Sequence, residues 1–419
     1  MSEDFDSLEL IKKYLESKRF EDIKRDYSPD KVQALRSKIK ISYDLSNLGA
    51  MNLWELLNQP SNWISGLGSA TVQQAMQLEK LNYQILYVSG WQIAAESNFG
   101  TNTYPDLSLY PSNSTPEFVR KINNTLLRKS AENKKTTLPP IIADGESGFG
   151  GIYSVFDITS QFISTGAAGV HFEDQLASEK KCGHVGGKVV IPTFEFIKKL
   201  NASRLASDVT GVPIVIIART DSLHAKLSTS DFDERDKEYL SKNRTSDGYY
   251  EIKDNKGLAI NKSLAYAKYS DVIWCETNNP DLEFAKEFAQ ELKSKFPNKF
   301  LAYNCSPSLN WMDKFSKKDL NNFQESLFDF GYNLQFVSLA GFHSMISSFY
   351  ELGASFKEIN MEAIANLQLK ETQMSEIGYT GLKHQQEVGS NYYELVGEAL
   401  LGDESELLSK KDSTENTQF

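Results

Sequence analysis

Ile214-Val215-Ile216-Ile217-Ala218 runs directly into Arg219-Thr220-Asp221. An unbroken apolar run of this length reads as a strand buried on both faces, as in a parallel sheet. The same order, apolar run and then polar end, recurs along the chain. Tyr83-Gln84-Ile85-Leu86-Tyr87-Val88 ends in Ser89-Gly90-Trp91, and Pro140-Ile141-Ile142-Ala143 ends in Asp144-Gly145-Glu146. Ala168-Gly169-Val170-His171-Phe172 ends in Glu173-Asp174, and Val272-Ile273-Trp274-Cys275 ends in Glu276. Phe300-Leu301-Ala302-Tyr303 ends in Asn304-Cys305-Ser306-Pro307-Ser308, and Leu334-Gln335-Phe336-Val337 ends in Ser338-Leu339-Ala340-Gly341. An eighth, weaker strand is expected near Thr103-Tyr104-Pro105-Asp106. Helical stretches such as 194–209 and 281–295 lie between them, and strands alternating with helices imply a parallel sheet. Eight such units predict a (β/α)8 TIM-type barrel of the α/β class, with its active site at the carboxyl ends of the strands. An open doubly wound sheet is the alternative. It usually carries a Gly-rich fingerprint after its first strand, which Ser89-Gly90-Trp91-Gln92 is not.

Around this core, residues 6–47 read as charged amphipathic helices with Leu8, Leu10, Ile11 and Leu15 on one face. Residues 53–78 continue in helix-like pieces. The expected organisation is an N-terminal helical segment over 1–80, the barrel over 81–350, and C-terminal helices and tail over 351–419. Residues 228–255 read as a long exposed loop or insertion, and 409–419 as a polar tail whose simplest reading is a frayed terminus.

The chain has 419 residues, a net charge of -11 and 3 cysteines. The charge argues against nucleic acid or an anionic membrane as partner. So few cysteines make no disulfide framework, which points to a reducing cytoplasm. The acidic start, Met1-Ser2-Glu3-Asp4, carries no signal-peptide core, and no apolar run reaches the roughly 20 residues of a membrane span. Thr417-Gln418-Phe419 is not a peroxisomal address.

Asp106, Asp144, Glu146 and Glu173 would meet at one barrel mouth, where so many carboxylates stay ionised only beside a cation. All-oxygen ligation selects magnesium or manganese over zinc. His171, inside a strand, reads as a supporting residue rather than a ligand. Arg219 suits bidentate binding of a carboxylate. Asn304, Ser306 and Ser308 would hold a second carboxylate without adding charge. Ser89-Gly90-Trp91 offers backbone N–H groups and an aromatic wall. Lys180-Lys181-Cys182-Gly183-His184-Val185-Gly186-Gly187-Lys188 sets one sulfur among cations, which favours a thiolate. Its glycines suit a loop that opens and closes. Read alone it is also an ordinary solvated loop. It has neither zinc-ligand spacing nor a phosphate-loop Ser or Thr after Gly187-Lys188. Together these groups imply a small, multiply charged carboxylic acid and carbanion chemistry, with Cys182 as acid or base.

Lys180-Lys181-Cys182-Gly183-His184 resembles the isocitrate lyase signature. So do Ser89-Gly90-Trp91-Gln92, Tyr104-Pro105-Asp106, Ala143-Asp144-Gly145-Glu146, His171-Phe172-Glu173-Asp174-Gln175 and Ala218-Arg219-Thr220-Asp221. Trp274-Cys275-Glu276-Thr277, Asn304-Cys305-Ser306-Pro307-Ser308 and His384-Gln385-Gln386-Glu387-Val388-Gly389 complete the set. The resemblance runs from about residue 54 to the tail. It implies a cytoplasmic homotetramer of barrels exchanging a C-terminal helix, and magnesium-dependent cleavage of isocitrate to glyoxylate and succinate. It makes Asp144 the main metal-site acid, through water, with Asp106, Glu146 and Glu173 completing the shell. Ser89, Gly90, Trp91 and Arg219 would hold the glyoxylate part. Asn304, Ser306, Ser308 and Ser338 would hold the succinate carboxylates, helped by Gly183 and His184. Cys182 would protonate the succinate carbanion, Tyr87 would be the base, and the tail would act as a lid. Ser338 stands where Thr is usual, Val185 where Leu or Met is commoner, and Ser147 where Ala is usual; none removes a chemical group. The nearest alternative is 2-methylisocitrate lyase, which yields pyruvate. A catalytically dead sensing barrel would lack Cys182 or the acidic shell, and both are present.

Overall fold

The computed structural model describes residues 7–59, 61–403, 405–409 and 413–414. Among them, eight parallel strands form one sheet. They are β1 Ile64–Leu67, β2 Leu86–Val88, β3 Ile141–Asp144, β4 Gly169–Glu173, β5 Val215–Thr220, β6 Val272–Cys275, β7 Phe300–Asn304 and β8 Tyr332–Val337. Neighbours in sequence are neighbours in the sheet, β1 pairs with β8, and a parallel bridge between Gly68 and Tyr87 joins β1 to β2. The sheet therefore closes on itself, which excludes the open doubly wound alternative.

Alternation along each strand sorts side chains into two layers. Tyr87, Ile142, Ile217, Trp274, Ala302, Leu334 and Phe336 form a cluster inside the barrel. Leu86, Val88, Ile141, Ala143, Val170, Ile216, Ile273 and Leu301 join the larger cluster beneath the surrounding helices. Leu53 and Leu57 of the helix Asp44–Leu57 pack on the inner cluster. Two residues beyond an inward apolar side chain comes another inward position. Asp144 follows Ile142, Arg219 follows Ile217, Glu276 follows Trp274 and Asn304 follows Ala302. The pleat thus aims the polar strand ends at a shared mouth. Register sets them side by side, with Asp144 opposite His171, Glu173 opposite Arg219, and Arg219 opposite Trp274.

Three expectations are corrected. The eighth strand is Ile64–Leu67, not Thr103–Asp106, which forms a loop. Its alternating burial and its internal Gly66 hide it from a search for continuous apolar runs. The barrel therefore begins inside the segment read as helical over 1–80. The helix Val72–Lys80 follows, started by a reciprocal cap between Thr71 and Gln74. Of the two readings of residues 228–255, the structure gives an ordered insertion and not an exposed loop. Leu227–Ser228, Leu240–Arg244 and Tyr250–Ile252 make a small sheet with Val189–Val190 at the foot of the Cys182 loop.

The N-terminal layer is tied to the barrel by buried charge. Asp271 receives Arg19 Nη1 at 2.7 Å, Arg204 Nη2 at 2.6 Å and the backbone N–H of Ile216 at 2.8 Å. These partners hold its carboxyl well below the usual range, outweighing burial. At the other end, helices Ala340–Ile359 and Met361–Ser375 bury only Gly341 and Ala363. They leave Phe349, Tyr350, Met361 and Leu369 exposed. His384–Glu387 and Ser390–Leu401 return to the barrel, where Lys80 pairs with Glu387 at 2.5 Å. The expected lid, 409–419, lies mostly outside the described residues.

Removing the acid of a buried ion triad leaves its cations uncompensated. Asp271→Ala should therefore cost about 3–5 kcal/mol. Chemical denaturation checks it, and a change within error would show that the triad does not tie the layers together.

Candidate active site

At the mouth the first turn after β2 is pressed against the acids. The Gly90 N–H donates to Asp144 Oδ2 at 2.9 Å, and a Cβ on Gly90 would collide with the carboxylates of Asp144 and Glu146. Asp144 Oδ1 accepts from the Glu146 N–H at 2.8 Å, a turn that holds Glu146 at φ +54°. Glu146 accepts from Tyr110 at 2.6 Å and Ser108 at 2.9 Å. Lys180 reaches across from the Cys182 loop to pair with both Asp106 and Glu146. Arg219 pairs with Glu173 at 3.1 Å and grips Asp221 at 2.9 Å and 3.1 Å. Its guanidinium lies 4.6 Å over the Trp274 ring.

A narrow cleft opens between these groups. It is lined by Tyr87, Ser89, Trp91, Asp106, Asp144, Cys182, Gly183, His184, Arg219, Asn304, Ser306, Ser308 and Ser338, all expected from sequence. Gly90, Glu146 and Glu173 do not line it; they sit behind it as partners of Asp144, Lys180 and Arg219. Trp274, Glu276 and Leu339 line it too and were not among the expected site residues. Glu276 was recoverable, because it follows β6 as Asp144 ends β3. Its Oε2 and the Oδ1 of Asn304 are buried without a partner, as groups awaiting a polar ligand would be. A larger hollow beside Gly186 and Gly187 is open to solvent and has no such convergence of acids and arginine.

The electrostatics revise the reading of Cys182. Its sulfur lies 3.1 Å from His184 Nδ1, but the surrounding cations are engaged elsewhere. Lys180 is bound by Asp106 and Glu146, and Lys188 by Asp221 and the Gly183 carbonyl. Burial, seconded by Asp106, pushes the thiol well above its usual value despite Lys180. The group is a thiol, suited to giving a proton, and not the thiolate expected from its neighbours in sequence. Tyr87 is likewise raised, by burial and then Asp144, and its hydroxyl meets His171 Nε2 at 2.9 Å. His171 is held neutral by burial, with Arg219 and Lys180 adding to the effect.

Asp144 has no cationic side chain bonded to it. Burial, with Glu146 next, lifts its carboxyl to about 7, although Lys180 and Arg219 pull the other way. A cation beside it would reverse that shift, so the oxygen donors fit a divalent ion. Among the described residues no three acid, histidine or cysteine side chains converge into a direct ligand cage. The fit is to an ion that keeps several waters.

Barrel, acid-rich mouth and loop-borne cysteine together give an α/β barrel whose mouth suits a small, multiply charged acid. A solved 2,3-dimethylmalate lyase, a member of the phosphoenolpyruvate mutase/isocitrate lyase superfamily, shares the fold, with TM-score 0.54 and 20% identity over 74% of this chain and 88% of its own. More closely, the model of the isocitrate lyase family matches residues 7–243 and 239–407. Isocitrate lyase of Halalkalibacterium halodurans is 45% identical over 96% of this chain and 95% of its own. That of Escherichia coli K12 is 43% identical over 98% of each. The chain belongs to the isocitrate lyase family.

A carboxyl raised by folding holds its proton more tightly in the native state than in the unfolded chain. Its contribution is present at low pH and is lost as pH climbs from 3.8 towards about 7. In metal-free protein, Asp144→Asn should therefore gain stability relative to the parent across that window and level off above it. Urea unfolding at a series of pH values measures the difference; a flat profile would contradict the raised carboxyl.

Proposed function

We propose that this chain cleaves isocitrate to glyoxylate and succinate, using magnesium, or manganese in its place. What supports the reading most is one cavity shared by Cys182, Asp144 and Arg219, which come from well-separated segments of the chain. Arg219, with Ser89 and Trp91, holds the glyoxylate part, while Gly90 braces Asp144 behind the cavity. Asn304, Ser306, Ser308 and Ser338 donate to the succinate carboxylates without adding charge, and Gly183 and His184 close over them. Asp144 would be the main acid at the ion, through water, with Asp106, Glu146 and Glu173 completing the shell, and the ion would supply stabilisation of negative charge developing on the substrate.

The substrate hydroxyl gives its proton to Tyr87 as the phenol proton passes to neutral His171 along their 2.9 Å contact. That relay removes the need for an ionised tyrosine in a buried site. The hydroxyl carbon becomes a carbonyl and the carbon–carbon bond breaks. Its electron pair moves onto the succinate part, where the adjoining carboxylate spreads it. The Cys182 S–H then delivers a proton to that carbon, and His184 sits against the sulfur. Ser338 keeps the hydroxyl that the succinate end needs.

The assembly in this reading is a homotetramer with exchanged C-terminal helices. The exposed apolar face of Ala340–Ile359 and Met361–Ser375, with Phe349 at 75% and Tyr350 at 78%, suits cover by another copy. A cytoplasmic setting suits the three free cysteines, and no described helix is long and apolar enough to cross a membrane.

Carbonyl trapping should identify glyoxylate as the product from isocitrate, with reversible loss of turnover in excess chelator. Pyruvate from 2-methylisocitrate as the preferred reaction, or undiminished turnover in chelator, would defeat the corresponding part of the reading. Cys182→Ser should lower kcat by roughly 10²–10⁴-fold, the range for a lost acid–base group. It should leave folding intact, and a near-parental rate would remove the thiol from the reaction.

A further inference from the structure

Cys182 reaches the cavity only while its loop lies on the barrel rim. Upstream, Gln175 holds the loop through the backbone of Lys181, donating at 2.8 Å and accepting at 3.0 Å. Beyond Gly183, residues 184–187 are exposed. The chain then dives to Lys188, which is fully buried at the start of the small sheet. Lys188 Nζ turns back under the loop. It donates to the Gly183 carbonyl at 2.6 Å and to Asp221 Oδ1 at 3.1 Å. Gly183 adjoins Cys182, and a Cβ on it would collide with Glu276, so the loop rests directly on the rim here. Asp221 is also the carboxylate that grips Arg219, and its own N–H donates to Asp174 at 2.9 Å. One ammonium therefore bridges the backbone beside the acid catalyst and the carboxylate that orients the substrate-binding arginine.

This bridge is mutual support. A buried ammonium is costly unless its hydrogen bonds are completed, and Asp221 is already shared with Arg219. The Gly183 carbonyl completes the ammonium's shell only when the loop is down. Lifting the loop strips Lys188 of a partner and leaves its ammonium with Asp221, a carboxylate that Arg219 also grips.

We infer that Lys188 is a positioning residue that seats Cys182 and couples that seating to Arg219. The inference rests on the proposed cleavage for the roles of Cys182 and Arg219. It predicts a response in sulfur accessibility that does not depend on turnover. The probe is iodoacetamide on the ligand-free protein, with each cysteine followed by peptide mass spectrometry. Removing a cation by itself would raise the thiol further and slow alkylation. In Lys188→Met, Cys182 should instead react faster by roughly tenfold or more, as expected for loss of a hydrogen bond from a charged group. Buried Cys275 should stay unreactive. With isocitrate, kcat should fall about 100-fold, the effect of a small misplacement of a catalytic group, with a lesser change in KM. In Lys188→Ala, ethylamine should restore part of kcat and slow the labelling of Cys182.

Unchanged or slower labelling of Cys182, with Cys275 still protected, would overturn the assignment. So would equal labelling of Cys275 and Cys182 in both variants, because Lys188 would then hold the fold and not the loop. A parent that labels as expected but fails to cleave isocitrate would sink the proposed function while leaving the loop-seating role standing.

Discussion

Too much negative charge in too little water is the constraint behind this barrel mouth. Asp106 and Glu146 share Lys180, while Glu173, Asp221 and Glu276 gather around Arg219 and Lys188. Asp144 is left with backbone N–H groups and a neutral histidine 3.6 Å away. Desolvation penalises a charge without a partner far more than a paired one. Each cation is thereby pinned between acids, and Asp144 becomes the place where an added ion gains most. Burial, with Asp106 next, accounts for the protonated sulfur and outweighs the pull of Lys180.

These pairings also join chemistry to folding. Lys180 and Lys188 flank Cys182 in the chain and diverge in space, one towards Asp106 and Glu146, the other beneath Gly183 towards Asp221. The loop is held at both feet by groups that belong to the site. Arg219 does double duty, spanning Glu173 and Asp221 while stacking on Trp274. A change at any one of these residues alters the field felt by the others, so their effects should not add.

Much of the fold was legible because parallel barrel strands leave a strong local signal. Ile214 to Ala218 could hardly be anything but a doubly buried strand, and Arg219 at its end marked polarity as well as place. Where the signal weakened, so did the reading. Ile64-Ser65-Gly66-Leu67 alternates and contains glycine, so it passed for part of a helical region. The charged residues of 228–255 suggested a loop, although Asp233 and Asp236 are buried, capping the start of Thr193–Thr210 through the N–H groups of Phe194 and Thr193. Glu276 obeyed the strand-end rule and was recoverable, whereas Tyr110 carries no local pattern that would place it on Glu146.

The sequence by itself determined the barrel, the order of its strand ends and the residue types at the mouth, because pleating and alternation are local properties of the chain. It also determined the family, through long motifs in a set order. Only the tertiary structure decided which charge meets which. The protonation of Cys182, the neutrality of His171 and the burial of Lys188 beneath Gly183 depend on desolvation and on partners far away in sequence. Neighbours along the chain suggested a thiolate; neighbours in space make it a thiol, because electrostatic energy follows distance and dielectric, not sequence order.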